Sequence, residues 1–255
     1  MPYAKRRLCA RYRQTRVVVS VAVIVLVVLA AFLPARVLRA GGAPPSVRGK
    51  VIAWEHLLPQ AYVEASKPDA HRYTWREPSP TVKQDFRKLT ASVSRDICVA
   101  AFGAAAAQPH EPVSVKITGG RITPSTIVVS PGSRISFRNA DPFPHQLFEA
   151  NNPAWAANPT APASTREWAA TAAGVHVIRD DLFPDVVMHI VVDPQAVEFA
   201  LPDREGGFIL PLPPGEYSLK AFFDGKAVGK PIEGVRMGER SYELREALSA
   251  GGESK

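Results

Sequence analysis

The sequence predicts an all-β body carried behind one hydrophobic helix, and three observations support that reading. Beyond residue 46 the apolar residues recur with period two, not 3.6. They fall in short runs rich in β-branched and aromatic residues, separated by Gly, Pro, Asn and Asp. Ahead of them lies one long uncharged stretch, residues 17–35. With 255 residues, 46% of them hydrophobic and 22% charged, the chain has the apolar mass for one or two packed domains. Its two cysteines are too few to staple a miniprotein.

Residues 1–16 are basic, with Lys5, Arg6, Arg7, Arg11, Arg13 and Arg16. Residues 17–35, VVVSVAVIVLVVLAAFLPA, contain no charge. A helix of that length spans roughly 30 Å, one hydrocarbon thickness. Only Arg36 and Arg39 follow closely, so the positive-inside bias puts the N-terminus in the cytoplasm and the body outside it. The run is longer than the core of a secretory signal, and Pro34 to Ala40 make a poor cleavage site. The expectation is a single-pass signal anchor in the inner membrane of a bacterial envelope, with a periplasmic ectodomain. A cleaved signal peptide is the alternative and exports the body equally. Residues 36–45 read as a Gly/Pro linker.

The net charge of +7 invites a nucleic-acid reading, but its distribution excludes one. Residues 1–50 hold ten cations and no acid, which leaves the rest of the chain acidic by three. No basic stripe with interleaved aromatics tracks a phosphate backbone.

In the body, VRGKVIAW, AYVEA, VSVKITGG, STIVVSPG, RISFRN, HQLFEA, GVHVIRD, MHIVVD, GFILPL, EYSLKAFF and SYELREAL read as strands. Asp224-Gly225 marks a hairpin. Such spacing means a sandwich or barrel. Only 81–92 reads as a short helix, and 67–80 and 150–168 read as long loops. Cys98 sits in the apolar run ICVAAF, where a buried inert thiol is the plain reading and a metal or redox thiol the sharper one.

Residues 113–193 resemble the cupredoxin fold. The resemblance is carried by Ile122-Thr123-Pro124, Ile127 to Gly132, Ile135 to Asp141, His145, Gly174 to Ile178, Phe183-Pro184-Asp185 and Ile190 to Val192. It implies a Greek-key sandwich with a copper-binding end. Such a site takes a thiolate, two imidazoles and a weak axial Met. In the family the last hairpin carries Cys, then His-Pro, then Met. Aligned by Gly174 and Pro184, this chain has Asp180 at the Cys place, Phe183 at the His place and Val186 at the Met place, with Met188 nearby. Of the four ligands, His145 alone remains. The resemblance therefore implies a degenerate site, with no cofactor as the first expectation and copper as the alternative. A hard or borderline cation held by His145 and Asp180, aided by Met188, is the specific metal reading; a histidine tied to Asp180 or to backbone is the other. His176 should lie about 13 Å away from the ligand end, measured along its strand. Whether His176 and His189 meet depends on register.

A second resemblance, to carboxypeptidase regulatory-like (prealbumin-like) domains, rests on Asp203 to Phe208, Leu212 to Leu219 and Tyr242-Glu243-Leu244. Pro213 and Pro214 restrict φ, Gly215 allows a reversal and Tyr217 turns inward. Val47 to Val51 and Ala61-Tyr62-Val63 look like that family's first two strands. This implies a discontinuous β-sandwich, 46–66 plus 196–248, around a connecting region 67–112 and the cupredoxin-like unit, with 249–255 as a tail. The combination resembles exported proteins related to the methylamine-utilisation cupredoxin group.

No G-x-S-x-G elbow, H-E-x-x-H, P-loop or dinucleotide-binding glycine pattern is present. Asp180 and Asp181 are neighbours on a strand and so point to opposite faces. No enzyme is expected. The expected role is a non-catalytic binding or interaction module in the envelope, meeting a protein partner through the 141–148 and 179–186 loops. Phe143, His145, Phe183 and Met188 are its binding residues. Metal handling or electron transfer through His145 is the first alternative. Carbohydrate or small-ligand binding, with Trp54, Trp75, Trp155 or Trp168 as stacking platforms, is the second.

Overall fold

The computed structural model describes residues 44–59, 90–104 and 112–251. The expected basic segment, anchor and most of the linker lie outside these residues, as do Ala61-Tyr62-Val63, the loop 67–80 with Trp75, and most of 81–92. Among the described residues no helix is long and apolar enough to cross a membrane.

β1 (Ser46–Ile52) comes first, and a one-turn helix, α1 (Val93–Asp96), leads into β2 (Ile97–Gly103). Then follow β3 (Val113–Thr118), β4 (Arg121–Thr123), β5 (Thr126–Val129), β6 (Arg134–Asn139), β7 (His145–Glu149), β8 (Asn158–Thr160), β9 (Thr165–Ala169), β10 (Gly174–Asp180) and β11 (Val187–Val192). The rest are β12 (Ala196–Ala200), β13 (Gly207–Pro211), β14 (Gly215–Phe223), β15 (Lys226–Met237), β16 (Tyr242–Glu243) and β17 (Leu248–Ser249).

The all-β expectation holds for the described residues, which form two sandwiches. In the first, the sheet β4-β3-β6-β9 faces the sheet β5-β11-β10-β7-β8. β3 runs parallel to β6 and β5 parallel to β11; the Gly119-Gly120 turn closes the β3–β4 hairpin, whereas the Pro131-Gly132 turn carries the chain from β5 in one sheet to β6 in the other. Alternation builds the core directly. Val115 and Ile117, Ile135 and Phe137, Ile178, Met188 and Ile190 point inward, each wholly buried. Residues 113–193 supply all the strands of this sandwich, β3 to β11.

In the second sandwich, the sheet β12-β2-β14-β15 faces β1, which β13, β16 and β17 flank. Its core holds Val47, Val51, Val99, Leu210, Leu219 and Tyr217. Tyr217 does turn inward, and its hydroxyl donates to the Pro213 carbonyl at 2.8 Å.

Several segments differ from the sequence reading. Residues 97–103 belong to the expected connecting region yet form β2, which pairs with both β12 and β14. One face of β2 (Ile97, Val99, Ala101) lies in the second sandwich's core, and the other (Cys98, Ala100, Phe102) packs on Val128 and Phe222 between the sandwiches. A strand covered on both faces has no alternation to read. The expected loop 150–168 contains β8 and the first four residues of β9. β15, the longest described strand, does not show in the sequence pattern because Lys, Gly and Pro break it. It is an edge strand whose pairing with β14 shifts register, where such residues are tolerated. SYELREAL gives only the two short strands β16 and β17, because each merely touches β1 in parallel. Residues 90–92 of the expected helix are not helical, and the single turn α1 begins after them.

Candidate functional site

His145 opens β7 at the end of the first sandwich, and its side chain has no exposed surface. The chain reaches it from β6 through Asn139 to Pro144. Asn139, also wholly buried, shapes that loop: its amide donates to the carbonyls of Phe143 and Thr160, both at 2.9 Å, and its oxygen accepts from the Asp141 amide at 2.9 Å.

Both ring nitrogens of His145 meet carboxylates. Nδ1 lies 2.6 Å from Oδ2 of Asp180, and Nε2 lies 3.1 Å from Oδ2 of Asp141. Asp180 ends β10, and its other oxygen accepts from the amides of Leu182 (2.8 Å) and Phe183 (3.1 Å), closing the 180–183 turn. Asp141 accepts from the amides of Gly119 (2.5 Å) and Gly120 (3.0 Å). Both glycines have positive φ, 61° and 64°, which turns their N–H groups toward the carboxylate. Burial raises the Asp141 carboxyl's pKa, but the two amides and His145 outweigh it and hold the group below its ordinary 3.8. Each ring nitrogen is engaged by a carboxylate oxygen, one on either side of the ring. One histidine thus ties three turns together: 119–120, 139–145 and 180–183.

Two phenyl rings cover it. Phe143 and Phe183 stack at 4.9 Å, and their centroids lie 5.4 and 4.9 Å from the His145 ring. Outside them, Pro142, Pro144, Leu182 and Pro184 face solvent, with Leu182 47% exposed.

The structure therefore brings His145, Asp180, Phe143 and Phe183 together. Met188 stays apart: it pairs with Ile178 and packs in the apolar core. Asp141, the second carboxylate, was not singled out from the sequence, although its place four residues before His145 was the available signal. His176 and His189 do not meet. His176 pairs with Ile190 and shares the inward face, whereas His189 pairs with Val177 on the outward one. His176 instead bonds Glu149 (2.6 Å), which also accepts from Trp168 and Asn152, both at 2.7 Å. Nothing in the spacing of these four residues announces that cluster.

A type-1 copper ion does not fit the residues present. It needs a thiolate. Cys98 lies in the apolar seam between the sandwiches, and burial pushes its thiol up to about 12. Both His145 nitrogens are already engaged by carboxylates, so neither is turned toward an open position. Among the described residues no group of three or more His, Cys, Asp or Glu is arranged to hold a metal ion. Nor is Trp155 an open stacking platform: the Arg166 guanidinium lies 3.8 Å from its ring centroid, and Phe137 tilts against it at 5.9 Å.

No family model matches the chain, and no curated protein does. Among solved structures it is similar to an oxidized amicyanin variant: 18% identity over 32% of this chain and 82% of that one, TM-score 0.29. A reduced amicyanin variant gives 16% identity over 37% and 99% of the two chains, TM-score 0.30. The copper-containing nitrite reductase from Thermus scotoductus SA-01 gives 19% over 36% and 24%, TM-score 0.29, so the match spans about a quarter of that enzyme. The strand order of 113–193 rests on the pairings described above, not on these likenesses.

Proposed function

We propose that this protein is a non-catalytic interaction module of the bacterial envelope, held to the inner membrane by residues 17–35, whose metal-fold end is sealed by a histidine held between two carboxylates. One observation carries the reading: the buried His145 ring is bonded at both nitrogens, to Asp141 and Asp180. A ring so held turns no nitrogen toward a metal or a substrate. What the arrangement does supply is rigidity. Three turns are pinned from beneath, and three prolines limit their backbones from above. The apolar rim of Pro142, Phe143, Leu182, Phe183 and Pro184 is then a preformed surface for a protein partner.

Elemental analysis of the full-length protein tests this. The expected result is no stoichiometric copper or zinc after incubation with either ion and desalting. Replacing Phe143 or Phe183 by alanine should abolish capture of whatever partner the wild type retains. Stoichiometric metal that disappears in His145→Ala would overturn the reading in favour of metal handling. Partner capture untouched by either phenylalanine substitution would remove the rim as its surface.

A further inference from the structure

The seam between the two sandwiches contains a polar arrangement that the His145 end does not use. His189 on β11 points out of the first sandwich, in register with Thr126 on the parallel neighbour β5. Nδ1 of His189 and the Thr126 hydroxyl are both buried, and neither makes a hydrogen bond. Against them sits the tip of the β14–β15 hairpin from the second sandwich. Asp224 and Gly225 there have φ of 46° and 74°, the left-handed pair a two-residue hairpin turn requires. The tip is in close contact: a Cβ added to Gly225 would lie 2.9 Å from Val175 and 3.1 Å from Cβ of His189. Yet Asp224 stops 3.9 Å from His189 Nδ1, too far for a hydrogen bond.

We propose that His189 is an acid-sensitive latch on this seam: neutral, it seats the Asp224–Gly225 tip against β10 and β11, and protonation releases the tip. The charged groups around it come from each packed element. Asp224 and Lys226 lie on the hairpin and Arg179 on β10. β5 brings Thr126 and no charge. Behind it, Ser125 accepts the His189 amide at 2.8 Å and donates its hydroxyl to Asp96 at 2.8 Å, and Asp96 pairs with Arg95. Burial lowers the imidazole below its ordinary 6.5; Asp224 opposes that, and Arg179 and Lys226 reinforce it. The closed seam therefore binds a proton more weakly than the open one. By linkage the seam is intact above about 6.5 and is lost as pH falls through the closed-state value.

Hydrogen exchange of the full-length protein, corrected for intrinsic rates, tests this at about pH 7.5 and about pH 5.5. Amides of 222–228 and 187–191 should lose protection about threefold or more in acid, while His189→Gln, neutral at both, keeps it. Asp224→Asn removes an attraction that favours the imidazolium in the closed seam, so its protection at about pH 5.5 should fall further than the wild type's. The latch is overturned if wild type and His189→Gln respond alike, which would assign the response to another histidine. It is also overturned if the wild type does not respond. Should the glutamine variant misfold, ring titration by NMR in the wild type decides: a His189 midpoint at or above 6.5 overturns it.

Discussion

Replacing Asp180 by alanine removes three accepted hydrogen bonds together: those from the amides of Leu182 and Phe183 and that from His145 Nδ1. It also leaves the buried Nδ1 of His145 without its partner. Removing one partner of a buried ion pair costs about 3–5 kcal/mol, a large part of a domain's total stability. Asparagine differs in kind. Its side-chain oxygen still accepts from Leu182 and Phe183, and its amide can donate to Nδ1 if the ring turns neutral and keeps its Nε2 proton for Asp141. Every buried group then retains a partner, and only the charge-assisted strength is lost, about 1–2 kcal/mol. The order, alanine far worse than asparagine, is the signature of a ring held at both nitrogens. Urea denaturation of the full-length protein followed by tryptophan fluorescence near neutral pH measures it, with slopes compared to exclude a changed denatured state. An alanine cost below about 1 kcal/mol, or an asparagine cost equal to it, would refute the reasoning.

The opposite end of the sandwich predicts an acid limit. Burial raises the Glu149 carboxyl's pKa, but bonds from Trp168, His176 and Asn152 outweigh it and hold the group below 4.5; Asp141 is likewise held below 3.8. A depressed carboxyl contributes stability above its unfolded value and loses it as pH falls through the folded one. Denaturation midpoints should therefore drop below about pH 4, and Glu149→Gln should flatten that drop; an unchanged pH profile in the variant would be the contrary result. Cys98 is wholly buried with its thiol pushed up to about 12. In a Cys9→Ser background it should resist alkylation at about pH 8 until the protein unfolds, and prompt labelling of the native state would contradict its placement.

The residues of the His145 end stood in the sequence one by one. Asp180 and Phe183 fell at the places of missing ligands because the turn glycine and proline that bracket them set the spacing. The partner of Nε2 was hidden: Asp141 reaches the ring only because the Gly119-Gly120 turn, some twenty residues earlier, holds its oxygens in place. β2 was hidden for another reason. Its run ICVAAF has no period because both faces are covered, one by each sandwich, and the covering strands come from distant parts of the chain.

Alternation and turn chemistry are local, so the order of residues alone specified that the body is β, where many strands begin, and that Tyr217 points inward. Register and the meeting of distant turns are not local. Which carboxylates reach His145, whether His176 and His189 share a face, and how close Asp224 comes to His189 each depend on strands placed against one another by packing. A slip of one residue on β11 would exchange the faces of Met188 and His189 and leave the sequence unchanged.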